Sequence, residues 1–134
     1  MILTIDIGNS RIKCSVFEAN GDFLHTTSFG HKYWDLLLTF PSKFKKINKA
    51  IISDVNGLSE HWILNFSFPV LWLSHETPLP INNKYKTPHT LGMDRVANLM
   101  GAQYLFPNKN VLTIDLGTCN TFDLLEKDLS YEGG

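Results

Sequence analysis

The stretch that decides the fold is Leu3-Thr4-Ile5-Asp6-Ile7-Gly8-Asn9-Ser10, which returns near the other end of the chain as Leu112-Thr113-Ile114-Asp115-Leu116-Gly117-Thr118. In each copy an apolar run carries one aspartate near its end, and a glycine follows two residues later. Side chains with amide or hydroxyl groups come next. The recurrence indicates that one strand-and-loop unit is used twice.

The residue types in both loops suit the binding of phosphate groups. Glycine lets the backbone come close to an anion and adopt a positive φ, and exposed N–H and hydroxyl donors can surround phosphate oxygens. An aspartate held nearby can position a hydrated Mg²⁺ ion. We therefore expect the two loops to face each other across a cleft that holds a polyphosphate.

A single copy would more simply be a buried strand that ends in an Asp-x-Gly turn, since both residues are common turn formers. The paired occurrence argues against that explanation. Each copy also continues into a second strand-like run, over residues 12–17 in the first copy and 121–125 in the second. The similarity therefore extends over a whole strand-turn-strand unit.

The composition predicts an ordinary globular protein without a broad affinity for polyanions. The 134 residues are 43% hydrophobic and 12% aromatic, which is enough to bury a core. A net charge of -1 gives no basic footprint for nucleic acid or for an anionic membrane. The one short basic group is interpreted as a solvated loop face, and its members are Lys43, Lys45, Lys46 and Lys49.

Cys14 and Cys119 are too few and too far apart for a disulfide framework or a metal knuckle. We expect both to be small buried hydrophobic side chains rather than nucleophiles. The five histidines show no paired ligand spacing, so no zinc site is assigned. No secretory signal precedes the first predicted strand, and the cytoplasm is the expected compartment.

The apolar pattern predicts three meandering strands followed by alternating helices and strands, which favours an α/β domain with a mixed sheet. Strands are predicted over residues 1–7, 11–18, 23–29, 49–55, 70–73 and 111–116, and helices over residues 32–40, 59–65 and 94–106. Prolines indicate an irregular connection over residues 77–88. The apolar residues of the first helix are expected in the core, and they are Tyr33, Trp34, Leu36, Leu37 and Phe40.

A third motif lies between the two loops, where Tyr85 is followed by Gly92-Met93-Asp94-Arg95. With the two Asp-x-Gly loops and the nearby Lys13, it resembles the motif set of the type III pantothenate kinases, a family in the superfamily of acetate and sugar kinases and actin. The motifs occur in the family's order, and the resemblance spans the whole chain. Ser10 stands where the family has Thr and keeps the hydroxyl, and Cys119 stands where it has Ala and changes the size only slightly.

The resemblance implies an α/β, ribonuclease H-like (actin-like ATPase) fold with a mixed five-stranded sheet. Residues 1–108 would form the N-terminal lobe, and residues 109–134 the truncated start of a second, similar lobe. Family members are longer, and their further residues would supply another pantothenate contact, much of the adenosine pocket and part of the dimer surface. Activity is therefore expected of a longer form.

The resemblance also implies a reaction, the ATP-dependent phosphorylation of pantothenate to 4'-phosphopantothenate in coenzyme A biosynthesis. Mg²⁺ would accompany ATP, a monovalent cation (K⁺ or NH₄⁺) would be required, and the protein would be a homodimer. Neither nucleic acid nor a membrane is an expected partner.

Site residues follow from the same resemblance, position by position. Asp6 would lie near Mg²⁺, through water, and Lys13 near the transferred phosphoryl group. Asp94 would accept the proton of the pantothenate hydroxyl, and Asp115 would hold the monovalent cation. The residues expected to bind ATP phosphates are Asp6, Ile7, Gly8, Asn9, Ser10, Arg11, Ile12, Lys13 and Thr118, and those expected to line the pantothenate site are Tyr85, Gly92, Met93, Asp94 and Arg95.

Three alternatives stay open from the residues alone. The phosphate loops do not identify the acceptor, so a sugar or acetate kinase of the same superfamily would carry them too. A non-catalytic regulatory relative is a second alternative, against which the set of Asp6, Lys13 and Asp94 argues. Asp94 and Arg95 could also be a helix cap and a surface ion pair with no role in catalysis.

Overall fold

The computed structural model describes residues 1–55, 57 and 66–134, so the helix predicted over residues 59–65 lies outside the described residues. Contacts between Cα atoms divide the chain into two compact units, Met1–Leu73 and Ser74–Gly134. Each unit contains one copy of the repeated Asp-x-Gly motif. The lobe boundary between residues 108 and 109 stays a prediction.

The first unit is built on a five-stranded sheet with the strand order β3-β2-β1-β4-β5. β1 pairs antiparallel with β2, which pairs antiparallel with β3, whereas β1, β4 and β5 run parallel. The predicted mixed sheet is therefore confirmed. Its elements are β1 (Ile2–Ile7), β2 (Arg11–Phe17), β3 (Phe23–Gly30), α1 (Asp35–Thr39), β4 (Lys49–Asp54) and β5 (Val70–Trp72), with 3-10 turns at His31–Tyr33 and Pro41–Lys43.

The core of the first unit lies on one face of this sheet. Leu3, Ile5 and Ile7 alternate along β1 and are fully buried, because successive side chains of a strand point to opposite faces. They pack in one cluster with residues of the neighbouring strands and of the α1 region, among them Leu37 and Phe40. Asp6 consequently lies on the opposite, half-buried face of β1.

The prediction for residues 32–40 was partly wrong. A 3-10 turn and a five-residue helix replace the single predicted helix, and a helix this short turns only one row of side chains inward. Leu37 and Phe40, three residues apart, form that row. Tyr33, Trp34 and Leu36 are between 45% and 49% exposed and do not belong to the core.

Two of the three adjacent leucines of α1 give a matched stability test. Leu37→Ala removes a fully buried side chain and should lower the free energy of unfolding by about 2–5 kcal/mol. Leu36→Ala, the control at an exposed position, should change it by less than about 1 kcal/mol. Denaturant unfolding of the complete protein, followed by circular dichroism, measures both. Equal losses in the two variants would contradict the assignment of Leu37 to the core.

The second unit contains a four-stranded sheet with the order β6-β9-β8-β7 and one long helix. β6 pairs parallel with β9, and the other neighbours are antiparallel. β6 falls inside the connection that the sequence predicts to be irregular. The elements are β6 (Asn82–Asn83), a 3-10 turn (Pro88–Thr90), α2 (Met93–Leu105), β7 (Val111–Leu116), β8 (Asn120–Leu125) and β9 (Ser130–Tyr131).

Helix α2 runs from Met93 to Leu105, each end within one residue of the predicted limits, and Phe106 and Pro107 follow it. Proline cannot continue the helical hydrogen-bond pattern, which explains the end. The helix packs on β7 and β8. Its buried residues are Met93, Val96, Leu99 and Ala102, which recur every three positions, as expected along one helix face.

The two hairpins share a hydrogen bond that the sequence does not show. In the first unit the hydroxyl of Thr4 donates to the backbone oxygen of Ser15, at 3.5 Å. In the second, the hydroxyl of Thr113 donates to the backbone oxygen of Asp123, at 3.3 Å. Since Thr4 and Thr113 are equivalent positions of the repeated stretch, the similarity is structural as well as sequential.

The same two hairpins differ in which face is covered. In the first unit the face of Leu3, Ile5 and Ile7 is buried. In the second, α2 packs against the other face, the one that carries Asp115 and Asp123. The face equivalent to the first unit's core is exposed in this chain, and its large apolar members are Leu112, Ile114, Leu116, Phe122 and Leu124.

Two further surface predictions can be compared with the structure. All four lysines of the basic group are exposed, as expected of a solvated loop face. In the part of the chain that the structure describes, no helix combines the length and the apolar character needed to span a bilayer.

Candidate functional site

The first loop is a tight turn between β1 and β2. The backbone N–H of Gly8 donates to the backbone oxygen of Arg11, at 3.0 Å, and closes the turn. The carbonyl oxygen of Gly8 accepts a hydrogen bond from Nε2 of His31, at 2.8 Å, so that nitrogen carries the proton. His31 follows β3 directly and was not singled out from the sequence. This hydrogen bond links the first loop to the end of β3.

Asp6 and Lys13 face each other across β1 and β2. They are direct partners in the antiparallel register, and Nζ of Lys13 lies 3.6 Å from Oδ2 of Asp6. The side chain of Asp6 is 38% exposed and that of Lys13 is 59% exposed, so the pair contributes about 0–1 kcal/mol to stability. Its importance lies in placement, because the strand pairing holds a carboxylate and an ammonium group together at the base of the loop.

The other residues of the first loop divide into two kinds. The side chains of Ile7 and Ile12 are buried in the core, and the two residues pair with each other across the hairpin, so neither side chain is open to a ligand. Asn9 and Ser10 are exposed. Arg11 is exposed as well, and its guanidinium donates to the hydroxyl and the backbone oxygen of Ser28 on β3, at 2.7 and 3.1 Å.

The second loop carries a carboxylate without the lysine. Asp115 pairs with Thr121 across β7 and β8, whereas Asp6 pairs with Lys13 across β1 and β2. The turn at Gly117 is one residue shorter than the first, and β8 contains no lysine. The hydroxyl of Thr121 is buried and has no hydrogen-bond partner among the described residues. Nδ2 of Asn98 on α2 lies 3.4 Å from Oδ2 of Asp115. Oxygen atoms of this kind, carboxylate and hydroxyl, fit a hard cation such as K⁺.

Asp94 is the second residue of α2, one position later than in the predicted helix, and its Oδ1 accepts a hydrogen bond from the backbone N–H of Arg95, at 2.8 Å. A side chain on Gly92 would collide with this carboxylate, so glycine is needed there to let Asp94 turn back toward the helix start. Met93, between them, is buried. The motif thus presents a half-buried carboxylate at a helix N-terminus.

Arg95 does not form a surface ion pair. Its Nε lies 3.1 Å from both carboxylate oxygens of Asp123 on β8, and its Nη2 lies 2.5 Å from Oδ1. Nη2 also donates to the hydroxyl of Tyr131, at 3.1 Å, and that hydroxyl donates to Asp123, at 2.6 Å. Asp123 is only 1% exposed. The alternative that Arg95 merely pairs on the surface of its helix is therefore wrong.

Tyr85 packs against this network from the side of β6. Its ring is stacked on that of Tyr131, with centroids 6.1 Å apart and planes 14° apart, and Cζ of Arg95 lies 5.4 Å from its centroid. Gly133, at φ 118°, also touches the ring, because a Cβ there would come within 2.8 Å of it. Tyr85 and Arg95, two predicted site residues, are thus held by one cluster.

The surroundings of Arg95 and Tyr131 fix the protonation states of both side chains. Hydrogen bonds to Asp123 raise the pKa of Arg95 above its already high ordinary value. Burial, and then the hydrogen bond to Asp123, raises the pKa of Tyr131. The guanidinium therefore stays charged and the phenol stays a donor throughout the physiological pH range.

The sequence reasoning missed three residues, His31, Asp123 and Tyr131. No local signal marks Asp123, since it alternates with Phe122 and Leu124 along β8 and the sequence alone would place it on a polar face. No three histidine, cysteine, aspartate or glutamate side chains lie together as a metal-binding group in the residues that the structure describes.

A family model described as type III pantothenate kinase matches residues 2–134. The chain belongs to this family. The type III pantothenate kinase of Phocaeicola vulgatus is 41% identical to it over 137 residues, which cover 100% of this chain and 56% of the relative. The type III pantothenate kinase of Flavobacterium johnsoniae is 35% identical over 136 residues, with the same two shares. The chain thus spans about half the length of the curated relatives it matches.

The fold agrees with that of a solved structure. A candidate 2-dehydro-3-deoxygalactonokinase from Sinorhizobium meliloti is similar to this type III pantothenate kinase family member with a TM-score of 0.59 and 16% identity. The similarity covers 99% of this chain and 52% of that chain. At this identity the likeness shows the fold alone, and it confirms the expected actin-like ATPase fold class.

The cysteines behave differently from one another, which gives a chemical test. Cys14 is buried, and burial raises its pKa to about 12. Roughly one such thiol in 10⁴ is ionised at pH 8, so Cys14 should resist alkylation until the protein unfolds. Cys119 is exposed, contrary to the prediction that both are buried, because it lies in the turn and not in a strand.

We expect iodoacetamide at pH 8 to label Cys119 in the native protein and to label Cys14 only in denaturant. Peptide mass mapping of the complete protein distinguishes the two sites. In a Cys119→Ser variant the native protein should lose the fast label, which makes this variant the control. Equally fast labelling of Cys14 would show that β2 is not buried as described.

Proposed function

We propose that the complete protein to which this chain belongs phosphorylates pantothenate with ATP and forms 4'-phosphopantothenate. The observation that carries the proposal is that the family match over residues 2–134 runs through all three motifs. The structural likeness to sugar kinases concerns the fold and leaves the acceptor undecided.

The first loop is proposed to hold the ATP phosphates. Residues Ile7 to Ile12 form this glycine turn, and the exposed Asn9 and Ser10 bring amide and hydroxyl groups to it. Lys13 would neutralise charge on the transferred phosphoryl group. Arg11 would need to leave Ser28 to contact a phosphate with its side chain, and Thr118 of the second loop is proposed as a further ATP contact.

Two cations are proposed from the donor chemistry. Asp6 is a single, partly exposed carboxylate, which suits a Mg²⁺ ion that keeps most of its water and is otherwise held by phosphate oxygens. When bound, Mg²⁺ would neutralise charge on the phosphates. Asp115 and the unpartnered hydroxyl of Thr121 are proposed to hold the monovalent cation.

Asp94 is proposed as the residue that orients the primary hydroxyl of pantothenate and accepts its proton. In a loose phosphoryl-transfer transition state the acceptor oxygen loses its proton late, so position matters more than basicity. Tyr85, Gly92, Met93 and Arg95 are proposed to line the acceptor site around this carboxylate. We further propose that the protein works in the cytoplasm as a homodimer.

A turnover assay of the full-length protein tests the proposed function. Pantothenate, a panel of sugars and acetate are each supplied with ATP, Mg²⁺ and K⁺, and product is identified by mass spectrometry. We expect phosphorylation of pantothenate alone. Turnover of a sugar or of acetate, with none of pantothenate, would assign the protein to another branch of the superfamily, and no turnover at all would favour a regulatory relative.

Replacing the proposed proton acceptor gives a sharper prediction. Asp94→Asn should lower kcat for pantothenate by about 10²–10⁴-fold, the range for a positioned acid or base, and should leave the fold intact. Asp35→Asn is the matched control, because it makes the same change in the first turn of α1. Steady-state kinetics and circular dichroism measure the effects. Unchanged turnover in Asp94→Asn would remove this residue from the mechanism.

A further inference from the structure

We propose that Asp123, together with Tyr131, is a positioning residue that fixes Arg95 and Tyr85 in the geometry needed to bind the acceptor substrate. The inference rests on the proposed function, because that function makes Arg95 and Tyr85 part of the acceptor site. Neither Asp123 nor Tyr131 belongs to the three motifs that mark the family in this sequence.

Asp123 holds one edge of the guanidinium of Arg95, the edge formed by Nε and Nη2. Both carboxylate oxygens accept from Nε, and Oδ1 also accepts from Nη2, at 2.5 to 3.1 Å. A planar guanidinium held by two donor nitrogens against one carboxylate cannot rotate without breaking several hydrogen bonds. The direction of Nη1, which takes no part in these bonds, is thereby fixed as well.

Tyr131 extends the same constraint to Tyr85. Its hydroxyl lies between Arg95 and Asp123 and bonds to both. The ring of Tyr131 lies nearly parallel to that of Tyr85, and the guanidinium of Arg95 lies over the ring of Tyr85. Since Tyr131 is fully buried, it gives Tyr85 a fixed surface on which to stack. One buried carboxylate therefore orders two side chains that are proposed to face the substrate.

Stability alone does not account for such a cluster. A buried ion pair recovers little more than the cost of removing its charges from water, and apolar residues of similar volume often do as well. What the pair supplies is a single orientation of a charged group. Arg95 retains 16% exposure, so part of the ordered side chain is open to a ligand.

Kinetics of the full-length protein separate positioning from general stability. In Asp123→Asn the amide cannot accept from Arg95 with both terminal atoms, so the guanidinium loses its fixed direction. We expect the KM for pantothenate to rise by about 10- to 100-fold, the scale of a misplaced binding group, while the KM for ATP changes by less than about twofold. Tyr131→Phe keeps the carboxylate and the ring, and should raise the pantothenate KM by a smaller factor.

Glu132→Gln is the matched control, because it also replaces a carboxylate by an amide, one residue from Tyr131. It breaks only the exposed ion pair with Lys84, 3.0 Å long, and both KM values should stay unchanged. A thermal unfolding curve for each variant shows whether it is folded. Tyr131→Phe decides the question if Asp123→Asn does not fold.

The outcomes distinguish this inference from the function on which it rests. A rise in the pantothenate KM alone supports positioning. If the wild-type protein turns over pantothenate but the folded variants keep its KM, or change both KM values equally, the inference is overturned and the function stands. A wild-type protein without pantothenate turnover overturns both.

Discussion

The register of the antiparallel hairpins is the constraint on which the rest of the structure depends. In the first hairpin the pairing of Ile7 with Ile12 sets Asp6 opposite Lys13 and turns Leu3, Ile5 and Ile7 into the core. A slip of one residue would exchange the two faces and bury the carboxylate. The hydrophobic core therefore enforces the position of the polar pair at the loop, although that pair contributes little to stability itself.

The two copies differ in turn length and in the residue that lies opposite the aspartate. The turn at Gly117 is one residue shorter, which sets Thr121 opposite Asp115, and β8 contains no lysine. The first copy thus presents a carboxylate beside an ammonium group, which suits anionic phosphates accompanied by a metal. The second presents a carboxylate beside a hydroxyl, which suits a cation without a competing positive charge. One backbone motif therefore presents two different sets of polar groups.

Regular alternation and glycine turns let the sequence predict most strands and the long helix within one or two residues. Prediction failed where long-range partners or element length decide the outcome. Tyr33 and Trp34 read as core residues, but the helix is too short to turn them inward. The partnership of Arg95 with Asp123 joins residues 28 positions apart and becomes visible only once α2 lies on β8. The motifs themselves mark Asp6, Asp94 and Asp115, whereas the residues that hold the motif side chains carry no local signature.

The aromatic residues are distributed unevenly between the units, and this has an optical consequence. Trp34, Trp62 and Trp72 all precede Ser74, while the stacked Tyr85 and Tyr131 lie beyond it. Tryptophan fluorescence of this segment therefore originates in the first unit, and the near-ultraviolet dichroism of the paired phenol rings originates in the second. Spectroscopy could follow the first unit and the Tyr85–Tyr131 pair as separate signals without any introduced label.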